Sequence, residues 1–216
     1  MALPGTHLRA AFELKEKLLI SDEKKYFSGT VYPDSRYVSG LAREFTHSED
    51  QIKPSFYQED DFKKGWFVHL IYDETQKTPF ADTLGFLFEN LDSGIIHASK
   101  DWITLTAIKT LQDIFDIHAF PIDRYLKNLE YMELPNQENP ELIKKYNLGI
   151  IEMYNNLPNK PEDYRERFAF LGIEPELVKK IIVRADELSD DAKVVSLIKK
   201  QFTETMSLIY DRYPTF

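Results

Sequence analysis

The sequence predicts an all-α fold, and three observations predict it. Apolar residues recur at helical spacing wherever a pattern can be read along the 216 residues. Alternating, strand-like runs are few and short; the best, Gly65-Trp66-Phe67-Val68, sits inside a helical pattern. Proline, glycine and short polar residues punctuate the chain at helix-length intervals.

Taken in order, the first helix is expected over residues 7–19, behind Pro4-Gly5 with Thr6 as its cap, and a second short helix begins at Ser21 and Asp22. Residues 29–34 read as a turn, because Pro33 biases Tyr32 away from the helical region and Asp34-Ser35 can cap the next helix. That third helix is expected over 36–45, with a charged loop over 46–54 and a longer helix over 58–74. Stretches 83–91 and 101–115 come next, the latter with Ser99 or Asp101 as cap. Beyond Pro121 come short helices broken by Pro and Asn, then helices over 161–171 with Gly172 as stop, 175–188 and 189–213. There is no internal repeat. Residues 134–162 are polar enough to suggest a boundary, but one domain over 1–216 is the simpler reading, with a core in 1–120 and a helical C-terminal part in 121–216.

Composition narrows the chemistry. Hydrophobic residues make up 43% of the chain and aromatic ones 13%, enough to build a core, and no apolar run is long enough to span a bilayer. The charged stretch after Gly5 lacks the layout of a secretory signal, so a soluble, cytoplasmic protein is expected. The absence of cysteine excludes disulfides, thiolate metal sites and thiol nucleophiles. A net charge of -9 disfavours duplex nucleic acid and anionic membranes as partners, and an anionic substrate would need local neutralisation by a metal or a few placed cations. No Gly-x-Ser-x-Gly motif is present to support a serine hydrolase.

Only five histidines occur, and His7, His47 and His69 all precede position 70 in company with acidic residues. His69 and Asp73 are one helical turn apart, so imidazole and carboxylate can converge on one ion, with Phe62 and Trp66 on the same face as an apolar wall. The plainer reading is a core histidine or a surface His-Asp pair. On the helix over 101–115, Trp102, Thr106, Lys109 and Asp113 share a face. Lys109 there could bind a phosphate oxygen and Asp113 a metal, or the two could form an exposed salt bridge. His97 reads as an incidental loop residue and His118 as a helix-end histidine favoured by the dipole.

The succession Thr6-His7-Leu8-x-x-Ala11, Gly29-x-x-x-Pro33-Asp34, Thr46-His47 and Gly65-Trp66-x-x-His69-Leu70-x-x-Asp73 resembles the zinc-dependent phospholipase C family and its relatives, the single-strand nucleases. The match covers about the first third of the chain. It implies a multi-helix orthogonal bundle, one to three zinc ions, and hydrolysis of a phosphoester, a small one or a phospholipid head group, by metal-activated water. His7, Asp34, His47, His69 and Asp73 would match ligands, and Asp34 would also match the carboxylate that orients or deprotonates the water. The family's mature N-terminal Trp ligand has no counterpart, and no histidine lies between Asp73 and His97, which leaves the number of metals open. Two other readings stand beside it. A histidine-aspartate-domain metallophosphohydrolase would need an adjacent His-Asp pair, which does not occur here; a non-catalytic helical interaction protein, or a relative that lost its chemistry, would use the aromatic residues as core and surface.

Overall fold

The computed structural model describes residues 2–88 and 100–214, and every regular element among them is helical. The helices are α1 (Pro4–Leu14), α2 (Glu23–Val31), α3 (Arg36–Ser39), α4 (Pro54–Tyr57), α5 (Asp61–Thr75), α6 (Lys77–Leu84), α7 (Lys100–Ile117), α8 (Asp123–Leu126), α9 (Pro140–Asn155), α10 (Arg165–Phe170), α11 (Pro175–Ser189) and α12 (Ala192–Arg212), with short 3-10 turns between several of them. No described helix is long and apolar enough to cross a membrane.

Helix starts obey the local chemistry. Proline opens α1, α4, α9 and α11, where its missing N–H costs nothing. Asp22, Asp60, Asn139 and Asp191 accept backbone N–H bonds at the starts of α2, α5, α9 and α12.

Several boundaries differ from those expected. α1 begins at Pro4, so Thr6 lies inside the helix and does not cap it. The helix expected over 36–45 is split, because Gly40 ends α3 in the left-handed region at φ 76° and a 3-10 turn, Arg43–Phe45, comes after it. The polar stretch expected to hold only short helices contains the 16-residue α9. The stretch expected over 83–91 is helical earlier, as α6, and its last three residues lie outside those described, as do Ser99 and His97.

Gly29 is the most instructive departure. Its sequence context predicts a turn, but it sits within α2, facing Gly65 of α5. A Cβ on Gly29 would stand 2.0 Å from the Phe62 carbonyl oxygen, and one on Gly65 would stand 1.9 Å from that of Tyr26. The two backbones touch here, and only glycine permits it.

α5 is buried on nearly every side, from Phe62 through Asp73, as expected of a helix that runs through the middle of a bundle. This explains why Trp66-Phe67-Val68 reads locally like a strand. One apolar cluster joins α1, α2 and α5 to residues of α9 and α12. Within it Phe27 and Phe67 are fully buried, each contributing about 1.5–3 kcal/mol of transfer free energy. A second cluster packs α7 against α11, with α6, α10 and α12 contributing.

The start of α5 is tied down by Asp61. One carboxylate oxygen accepts the Ser21 N–H at 2.9 Å, the Ser21 hydroxyl at 2.7 Å and the Asp22 N–H at 2.7 Å, while Lys64 holds the other at 2.8 Å. Burial pushes this carboxyl up, but these donors outweigh it and hold it down at about 2. A lowered acid contributes stability that is present above the unfolded value near 4 and lost as pH falls through the folded one. Asp61→Asn is therefore expected to lose about 1–2 kcal/mol at pH 7, allowing for solvent screening, and to converge with the wild type as urea denaturation is repeated towards pH 2. A gap that stays constant with pH would contradict the assignment.

Candidate metal centre

The structure brings together side chains from four separate segments. His7 comes from α1, Asp34 from the 3-10 turn Tyr32–Ser35, His47 from the segment after Arg43–Phe45, and His69 with Asp73 from α5. Two groups of three have ligand atoms within 4.8 Å of one another: His7, Asp34 and His69, and His47, His69 and Asp73.

The separations are informative. His69 Nε2 lies 3.9 Å from Asp34 Oδ1 and 3.7 Å from Asp73 Oδ2; His47 Nε2 lies 4.0 Å and 3.9 Å from the same two atoms. His7 Nε2 is 3.4 Å from Asp73 Oδ1. These are too long for hydrogen bonds of about 2.7–3.2 Å. They suit ligands that face one another across an ion, since bonds of about 2.0–2.1 Å at tetrahedral angles put ligand atoms about 3.3 Å apart. The His7 and His69 rings stack with centroids 3.7 Å apart, and His47 stands edge-on to His69 at 5.4 Å.

The polar atoms at this point satisfy the test for a missing partner. Both ring nitrogens of His7, Asp34 Oδ1, His47 Nε2 and His69 Nε2 are buried with no hydrogen-bond partner among the described residues. Each such atom costs about 1–3 kcal/mol if nothing compensates it, and a divalent cation would compensate several at once. The donor set of imidazoles and carboxylates suits zinc or a similar ion. His69 Nε2 has one lone pair and can bind one ion, so the two groups cannot both be filled through it.

A second layer of contacts aims the ligands. His69 Nδ1 meets the Thr30 carbonyl oxygen at 3.0 Å. A carbonyl only accepts, so the hydrogen is on Nδ1 and the Nε2 lone pair is directed at the centre. Pro33 supports this, because it has no N–H to bond the carbonyl three residues back. His47 Nδ1 lies 2.8 Å from the Thr46 hydroxyl, and the Thr46 carbonyl accepts the Trp66 indole N–H at 2.9 Å. Asp73 Oδ1 accepts the Ala2 N–H and the Gln76 amide, both at 2.9 Å.

Protonation is set by these surroundings. Burial, then the neighbouring His69, lowers His7 well below the ordinary imidazole value and His47 to about 2, so both are neutral and able to act as ligands. The carboxylates diverge. Burial pushes Asp34 up; Asp73 feels the same burial, but its electrostatic surroundings, with the Ala2 N–H donating to it, hold it below the usual range. Two carboxyls driven apart in this way are suited to different tasks.

Two hollows border the centre. A mainly apolar cleft of about 400 Å³ reaches Asp34, and Trp102, Thr106 and Lys109 line it as the shared face of α7 predicted. Burial lowers the Lys109 ammonium, while Asp73 and Asp34 oppose the change. A separate open basin of about 590 Å³ reaches His47 and Asp73, rimmed by charges of both signs, Arg43, Lys53 and Lys77 with Glu49 and Glu74.

Asp113 is not brought to the centre. Its carboxylate is fully buried and accepts the Thr6 N–H at 2.8 Å and the Tyr154 and Tyr164 hydroxyls at 2.7 Å each. It is a structural tie between α1, α7 and α9, and it forms no salt bridge with Lys109. His118 is exposed just beyond α7 and meets the Pro158 carbonyl at 3.2 Å. Sequence reasoning gave no orienting role to Thr30, Thr46 or Gln76, which hold ligands through hydrogen bonds, and passed over Arg167, which lines the same cleft as Lys109. No protein-family model, curated protein or solved structure matches this chain, so the likeness to zinc-dependent phospholipases C rests on the quoted residues alone.

Proposed function

We propose that this protein is a metal-dependent phosphoester hydrolase of the zinc phospholipase C type, with a fold to match. The observation that carries the reading is the convergence of buried imidazole nitrogens and carboxylate oxygens, with no other partners for most of them, next to a cleft that Asp34 and Lys109 both line. The order of His7, Asp34, His47, His69 and Asp73 in the sequence, the basis of the resemblance, supports it.

In this reading ligands drawn from His7, His47, His69, Asp34 and Asp73 would hold a zinc-class ion, which would supply Lewis acidity towards a phosphoryl oxygen and acidify water at neutral pH. Asp34 lines the cleft, so it is the carboxylate placed to orient water and take up its proton. Asp73, held as the anion, fixes charge at the centre. Lys109 neutralises part of the phosphate's charge, which an acidic protein otherwise repels. The apolar wall around them excludes water and strengthens each of these interactions.

Protein purified without chelator is expected to carry about one equivalent of zinc or a similar ion. Adding zinc to metal-free protein at about 100 times its dissociation constant should raise stability by about 2.7 kcal/mol, read as a thermal shift. para-Nitrophenyl phosphate and its bis ester should be tested with and without zinc, against Asp34→Asn, which should lower turnover by about 100-fold or more with the metal retained. Zinc binding with no hydrolysis of either ester would leave a metal-stabilised, non-catalytic helical protein; neither binding nor shift would remove the metal centre as well.

A further inference from the structure

Besides Lys109, the cleft contains a cation that is buried and that the proposed centre does not use. Arg167, on α10, is 6% exposed, and its Nε and Nη1 have no hydrogen-bond partner among the described residues. Its guanidinium lies over the Tyr146 ring at 4.8 Å and the Phe170 ring at 5.4 Å. Stacking on aromatic rings holds the plane of the group but leaves its in-plane N–H donors unused. Burial pushes the Tyr146 hydroxyl up, and the charge and hydrogen bonding of the adjacent Arg167 guanidinium oppose it.

A buried guanidinium with unused donors is costly unless an anion meets it, and its fork matches phosphate. Arg167 borders two hollows. One, of about 620 Å³, carries Glu152, Asp163 and Glu166 with only Lys160 to offset them, and this repels an anion. The other is the cleft, where Lys109 stands with Arg167 and where Asp34 would have its charge offset by the ion it binds; the one remaining acid, Glu174, is exposed at the mouth. Trp102, Leu171, Ile173 and Leu177 make the rest of the wall apolar.

We propose that Arg167 is a specificity residue of this cleft, and that with Lys109 it selects a phosphomonoester whose alcohol is apolar. This deepens the hydrolase reading and rests on it. Two cations besides the metal, the buried Arg167 and the part-buried Lys109, suit a phosphate carrying close to two charges at neutral pH, and a monoester has them where a diester has one. The apolar wall takes the single organic substituent.

The test compares para-nitrophenyl phosphate with its bis ester on the zinc-loaded full chain, for wild type, Arg167→Met and Arg167→Lys, with inorganic phosphate binding measured by calorimetry on the same samples. The wild type is expected to favour the monoester in kcat/KM. Arg167→Met should lose at least tenfold on the monoester, change less than threefold on the bis ester, weaken phosphate binding at least tenfold and keep its zinc. Arg167→Lys, which keeps charge without the fork, should fall between them and serves as the decisive variant if Arg167→Met does not fold. Equal losses on both esters, unchanged phosphate affinity, or a wild-type preference for the diester would overturn the proposal. If zinc binds but neither ester is hydrolysed, the hydrolase reading fails, and the phosphate titration still decides whether Arg167 is an anion site.

Discussion

Gly65→Ala is expected to cost at least about 3–5 kcal/mol, at the upper end of single-residue effects, and to leave little folded protein at 37 °C. The added methyl would meet the Tyr26 carbonyl oxygen at 1.9 Å and the Thr30 backbone nitrogen at 2.8 Å, both main-chain atoms of α2 that cannot rotate away. α2 and α5 would have to separate. That shift would also pull the Thr30 carbonyl from His69, so any folded remainder should bind zinc more weakly than the wild type. Urea denaturation and a zinc titration on Gly65→Ala and Gly29→Ala would measure both effects. A loss below 1 kcal/mol in either would mean that the helices are not in the contact described.

His69→Ala should have the largest effect on the metal. His69 alone belongs to both groups of candidate ligands, and its tautomer is fixed by Thr30. Its loss should weaken zinc binding by at least about 100-fold, more than the loss of a typical outer-shell partner, and abolish the zinc-dependent thermal shift and any hydrolysis. His118→Ala, at an exposed imidazole outside the centre, should leave all three unchanged. Retained zinc stoichiometry in His69→Ala would rule out the proposed centre.

The all-α class was legible because it depends on periodicity and on caps, both local properties; Asp22 marks the start of α2 in the sequence as well as in the fold. The pairing of His69 with Asp73 was legible for the same reason, one helical turn being a fixed geometry. What could not be read locally was how elements meet. Gly29 looks like a turn residue because nothing nearby reveals that α5 presses against it. Asp113 shares a face with Trp102 and Lys109, but the stripe from position 102 to 113 runs about 16 Å along α7. Its first part borders the cleft, while its end is buried against Gly5, Tyr154 and Tyr164. Arg167 sits on a six-residue helix inside the stretch 161–171 that the sequence marks as helical, and nothing local tells that this helix lines the cleft.

The chain's two tryptophans have different settings: the Trp66 indole is bonded to the carbonyl of the residue before His47, and Trp102 forms part of the cleft wall. The molecule thus carries two native optical probes with separate assignments. Ion loading should alter the emission of Trp66, and cargo entering the cleft should quench or shift Trp102. Single Trp→Phe variants would let the order of the two events be tracked in real time without a label.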